Sequence, residues 1–147
     1  MNFLRKKISL FFILFITSVV AQKDEYIPEV LNANQTLYEL DLKYVGSTTD
    51  VNANYQYMIQ HLVEILKENP LWTIHIRGHV CCGPNLRISK LRARKVYKIL
   101  AKFGINESRL SYKGYSDEKP LLFPEKTEED ELSNRRVDFV ITSSVIK

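Results

Sequence analysis

A chain of 147 residues, 45% of them hydrophobic, is long enough to bury one real core and too short for two ordinary domains. Its formal net charge is +4, but the first 21 residues hold three of the 21 basic side chains and none of the 17 acidic ones, which leaves +1 for the rest. The domain-wide basic excess of a nucleic-acid binder is therefore missing, and no nucleic-acid partner is expected.

Arg5, Lys6 and Lys7 form a basic start, Ile8 to Val20 is an apolar run, and Val19-Val20-Ala21 suits a signal peptidase. Thirteen apolar-dominated residues fall short of the ~20 that span a bilayer. No cysteine stands near the cleavage point to carry a lipid. Residues 1–21 read as an export signal, with no transmembrane span after its removal. The product is expected in the periplasm, reaching the outer membrane, if at all, through a partner. Residues 22–35, polar and without a period, read as a flexible leader.

Thr36 to Lys43 alternates, with Tyr38, Leu40 and Leu42 on one face, and reads as a half-buried strand. A polar turn over 46–54 precedes a helix over 55–68, where Met58, Ile59, Leu62, Val63, Ile65 and Leu66 recur at helical spacing before Asn69-Pro70. Leu71 to Arg77 is a second strand, with Trp72, Ile74 and Ile76 opposite Thr73, His75 and Arg77. Pro84 and Asn85 open a helix that runs to Phe103, closed by Gly104 as a left-handed cap. Strands over 110–114 and 135–142 complete the set, and the acidic run Glu125 to Glu131 makes a solvated helix or loop between them. Each strand has one mainly apolar face and two helices can cover only one face of a sheet. The expected fold is α/β: a two-layer sandwich of order β-α-β-α-β-β over residues 36–142, its mixed sheet largely wet on one side, with 143–147 a tail.

The helix after Pro84 is rich in Arg and Lys. At 100° per residue, Arg87, Lys90, Arg94, Lys95, Lys98 and Lys102 fall within an arc of about 140°, while Ser89, Ala93, Val96, Leu100 and Phe103 face the core. Arg92 belongs to neither group and lies at the rim of the apolar face. A guanidinium there needs a partner: a chain carboxylate such as Asp41 or Asp117, stapling helix to sheet, or a ligand. Asn85 suits a helix cap or a ligand contact.

Gly78-His79, then Asn85, Ser89, Arg92-Ala93 and Val96, followed by Asn134-Arg135-Arg136-Val137, together resemble the C-terminal domain of OmpA-like proteins. That family grips peptidoglycan, and the resemblance implies the same sandwich over most of the chain. It also implies that Arg92 binds the carboxylate of diaminopimelate in the peptide stem, a task suited to a planar fork with permanent charge. His79 and Asn85 fall near the same site, and one of Arg135 and Arg136 is expected at the pocket rim, since adjacent strand residues point to opposite faces. Val80-Cys81 replaces the family's Thr-Asp, whose aspartate would hold the ligand's ammonium. A thiol does that poorly, and losing such a partner costs ~2–5 kcal/mol, or roughly 30- to 4,000-fold in affinity. Two functions follow as expectations: a non-catalytic module holding peptidoglycan non-covalently, or the same fold turned to binding an outer-membrane or other envelope protein.

Cys81 and Cys82 are the only cysteines. In an oxidising compartment they either pair, although adjacent Cα atoms ~3.8 Å apart lie below the usual disulfide range, or stay as two buried thiols. His75, His79, Cys81 and Cys82 lack zinc-knuckle spacing, and a Cys-His nucleophile would have no third group to orient the histidine. No metal, cofactor or catalytic residue is expected, and Ser89 reads as a small packing residue.

Overall fold

The computed structural model describes residues 36–143, with side chains from Leu42 onward. The export signal, the leader and the last four residues of the tail lie outside that range. The four predicted strands are β1 (Thr36–Lys43), β2 (Trp72–Gly78), β3 (Leu110–Gly114) and β4 (Arg136–Ser143). They form one mixed sheet in the order β1-β4-β2-β3, with β2 and β3 parallel and β4 antiparallel to both of its neighbours. A parallel β2–β3 pair requires a crossover, and α2 (Leu86–Lys102) supplies it. The backbone pairing of β1 with β4 shifts register between Leu37 and Leu42.

The core lies between one sheet face and the helices. Ile74 and Ile76 of β2 and Val137, Phe139 and Ile141 of β4 meet Ile59, Leu62, Val63 and Leu66 of α1 (Gln56–Glu68), and all are buried. From α2 come Ala93, Val96 and Leu100. Phe103 is a correction: the helix ends at Lys102, and Phe103 closes it through its backbone amide while the residue stays 40% exposed. Gly104, at φ 90°, makes the left-handed turn expected of it. The acidic run becomes a third helix, α3 (Glu128–Asn134), started by a reciprocal capping box between Thr127 and Asp130. The element order is thus β-α-β-α-β-α-β.

Helix α2 rides directly on the ends of β2 and β3. A Cβ added at Gly78 would lie 1.9 Å from the Ser89 carbonyl oxygen, and one at Gly114 would lie 2.5 Å from the Lys90 backbone nitrogen. Both obstacles are backbone, which cannot swing aside. Ser89, fully buried, fills the seam: its hydroxyl donates to the Leu86 carbonyl (3.0 Å) and accepts from the Ser116 amide (3.0 Å). Gly78→Ala should therefore lower stability by about 1–3 kcal/mol through overpacking. An unchanged urea midpoint would show that α2 can lift off the sheet at little cost.

The second sheet face is not simply wet. Asp138, opposite Arg77 in the β2–β4 register, is fully buried. Arg77 Nε donates to its Oδ1 (2.5 Å), Arg136 Nε donates to its Oδ2 (3.0 Å), and His79 Nε2 lies 3.2 Å from the same oxygen. Tyr115 stacks on His79, with ring centroids 5.6 Å apart. The period-two pattern identifies these residues as facing away from the helices. It does not show that they shield one another from water.

Candidate site around a buried arginine

At the C-terminal end of β2 the chain turns through Val80-Cys81-Cys82-Gly83 before α2 begins. Cys81 and Cys82 are joined as a vicinal disulfide. Cys82 (φ 63°) and Gly83 (φ 112°) both take the left-handed region, which turns the chain toward Asn85. Asn85 caps α2 by accepting from the Ile88 amide (3.0 Å), and its own amide donates to Ser116 Oγ (2.7 Å). These segments, with Gly46 and Ser47 of the loop after β1, enclose an open cavity of about 430 Å³.

Arg92 reaches this cavity from two turns into α2. It is fully buried, not at a rim as the helical wheel predicts, because the loop after β1 closes over it. All three of its nitrogens donate to backbone carbonyls: Nε to Thr48 (2.8 Å), Nη1 to His79 (2.9 Å) and Nη2 to Gly46 (2.6 Å). The guanidinium also lies 4.6 Å from the centre of the Tyr44 ring. Burial lowers its pKa to about 10; Tyr44 opposes that shift and the charge of Arg135 adds to it. Arg92 is thus a full cation at neutral pH. Among the residues whose side chains are described no carboxylate pairs with it: Asp117 instead accepts from Ser116 (3.1 Å), and the side chain of Asp41, the other candidate, lies outside that set. A guanidinium has five N–H donors, and each terminal nitrogen keeps one beyond those used here.

Arg135 is the second cation at the cavity, and it answers which of the paired arginines stands there. Its Nη1 donates to Cys81 Sγ (3.1 Å) and to Glu131 Oε2 (3.0 Å), one turn earlier. Arg136 and His79 require correction: their side chains do not line the cavity but turn to Asp138 on the other sheet face, as strand alternation demands. His79 still serves the site through its carbonyl. Asn134, fully buried, accepts from the amides of Leu121 and Leu122 and donates to the Leu122 carbonyl (2.8 Å), anchoring the loop ahead of α3. Gly46, Thr48 and Tyr44 are contributions the residue pattern does not reveal, since backbone carbonyl acceptors in a polar turn leave no residue-type signal and the Tyr44 ring meets Arg92 only in the fold.

Cys81, Cys82 and Glu131 bring three donor atoms within 4.8 Å of one another. Bound sulfurs are not thiolate ligands, and Arg135 Nη1 already bonds both Cys81 and Glu131. This arrangement does not suit a cation.

The site is thus a fully buried cation at the base of an open cavity, held by backbone carbonyls on an α/β sandwich. The chain belongs to the OmpA family, which it matches over residues 44–135. It is 30% identical over 104 residues to outer membrane porin F of Pseudomonas fluorescens, covering 68% of this chain and 32% of that one. The chain thus spans about a third of the length of that curated relative. The peptidoglycan-associated lipoprotein of Burkholderia pseudomallei shares the fold at a TM-score of 0.65 and 24% identity, over 69% of this chain and 89% of that one. The periplasmic domain of Helicobacter pylori MotB does so at 0.64 and 21% identity, over 80% and 81%. No helix among the described residues is long and apolar enough to cross a membrane.

Proposed function

We propose that the cavity holds a free carboxylate of a peptidoglycan stem peptide, of the diaminopimelate type, non-covalently, and that the protein is a periplasmic anchor to the cell wall. One observation carries this reading: Arg92 is fully buried and charged, faces the cavity, and has no carboxylate partner among the residues whose side chains are described, from Leu42 onward. Three carbonyls and the Tyr44 ring solvate the cation but do not neutralise it, and an entering carboxylate that accepts from the two remaining N–H groups supplies the missing opposite charge. Asn85 and Arg135 border the cavity as polar contacts for the rest of the ligand. The relatives' names, a peptidoglycan-associated lipoprotein among them, agree with it.

No residue lining the cavity carries a carboxylate, and Glu131, within 4.8 Å of the Cys81 and Cys82 sulfurs, is already paired with Arg135, so the lining offers a ligand's ammonium no free acid. That observation favours the second reading, an envelope protein as the partner at the same fold. Co-sedimentation with purified sacculi separates the two. Retention of the protein, competed away by diaminopimelate-containing muropeptides, supports the anchor. A protein that stays in the supernatant while an envelope protein co-purifies with it supports the second reading and ends the first.

A further inference from the structure

The Cys81–Cys82 bond joins neighbouring residues, so it closes no loop of chain and removes almost no freedom from the unfolded state. Stability does not account for it. The two sulfurs also differ. Cys82 is exposed, whereas Cys81 is half-buried and accepts from Arg135 Nη1 at 3.1 Å. A guanidinium beside a sulfur favours its thiolate, and a stabilised thiolate is the better leaving group in exchange. We propose that this disulfide is a site of thiol–disulfide exchange with a dithiol substrate, with Cys82 as the attacked sulfur and Cys81 as the leaving thiolate.

The step balances as follows. A thiolate of the dithiol attacks Cys82 Sγ, and the Cys81–Cys82 bond breaks as the new S–S bond forms. Cys81 departs with the electron pair and is held against Arg135. The second thiol of the substrate then attacks its own partner sulfur in the mixed disulfide, closes the substrate's disulfide and expels Cys82 as a thiolate. Two electrons pass from the dithiol to the protein; of the two protons the dithiol gives up, one goes to Cys82 and the other to solvent, which leaves Cys81 as the thiolate, and an oxidised dithiol drives the reverse. Access is open, because both cysteines border the cavity. Glu131, bonded to the same guanidinium nitrogen, fixes Arg135 against Cys81, and its carboxylate, within 4.8 Å of both sulfurs, offsets part of the cation's effect on the thiolate. One consequence reaches the ligand and alone rests on the reading above: reduction puts an anionic sulfur into a cavity lined by Arg92 and Arg135, where it can accept from an ammonium.

The test uses the full chain and needs no peptidoglycan, so its failure leaves the anchor reading standing. Glutathione, a monothiol with no second thiol in the same molecule to close the ring, is added, free thiols are trapped with iodoacetamide before a second glutathione resolves the adduct, and the adducts are mapped by mass spectrometry. Glutathione on Cys82 with carbamidomethyl on Cys81 is expected. The reverse assignment, or two free thiols in the air-equilibrated protein, overturns the proposal. Reduction by dithiothreitol should be roughly threefold or more slower in Arg135→Gln, and near wild type in Arg135→Lys, which keeps the charge. Equal rates in all three would overturn the role of Arg135 and with it the assigned leaving group. If Arg135→Gln does not fold, the adduct map on the wild-type chain still decides.

Discussion

Arg92→Gln should bind diaminopimelate-containing muropeptides ~30- to 4,000-fold more weakly than wild type, the cost of removing one member of a buried charged contact. The loss arises because the variant leaves an entering carboxylate in a dry site with a neutral amide. The same change also withdraws donors from the carbonyls of Gly46, Thr48 and His79, so some stability is lost with it. Arg92→Lys separates the two effects. It keeps the charge but has no planar fork to serve three carbonyls and a ligand at once, and should still lose about tenfold or more. Calorimetric titration, at a temperature where near-ultraviolet dichroism shows each variant folded, measures both. Wild-type affinity in both variants would remove Arg92 from the site.

The second large effect concerns stability. Asp138→Asn is nearly isosteric but removes the negative charge that Arg77, Arg136 and His79 all face. Breaking a buried ion pair on one side typically costs ~3–5 kcal/mol, and urea unfolding should show a loss of that order. The pH dependence gives an independent check. Burial alone would raise the Asp138 pKa, but hydrogen bonds from His79 and Arg77 and the charge of Arg136 outweigh it and hold the carboxyl at about 2. Its folded pKa is therefore depressed below the ordinary 3.8. The stabilisation is fully present above about pH 4 and disappears as pH falls through about 2, amounting to about 2 kcal/mol.

His79 adds an earlier slope. Burial lowers its pKa below 6.5, with Asp138 opposing the shift and Arg136 reinforcing it. The unfolded chain consequently takes up a proton that the folded state resists as pH drops below about 6.5, and stability declines from there. In Asp138→Asn the step between about pH 4 and 2 should vanish. A variant within about 1 kcal/mol of wild type, with the acid step intact, would show that the cluster is not held by this carboxylate.

Much of this protein was legible in its residues because the relevant forces are local or periodic. Alternation in Trp72-Thr73-Ile74-His75-Ile76 and helical recurrence from Met58 to Leu66 each fix an element by exposing one apolar face. Cα geometry and packing pressure did the same for Asn85 as a cap, Gly104 as a left-handed stop and Ser89 as a seam residue. The Gly78-His79, Arg92-Ala93 and Asn134-Arg135-Arg136-Val137 spacing was enough for the family. The placement of Arg92 off both helix faces already marked it as a charge in need of a partner.

Other features depend on segments that meet only after folding. The wheel placed Arg92 at a rim; the loop carrying Gly46 and Thr48, more than forty residues earlier, closes over it and makes it a buried cation. Which of Arg135 and Arg136 borders the cavity depends on where β4 begins, and a one-residue shift would exchange them. Asp138 reads as an ordinary outward strand residue until the register sets it against Arg77. Periodicity and residue chemistry act within a helix or strand, so the main elements, the inward faces of β2 and α2 and the arginine in need of a partner can be read from the residues alone. What encloses that arginine, which neighbour joins it and where the buried acid lies follow only from the folded chain, because burial and pairing are set by residues distant in the sequence.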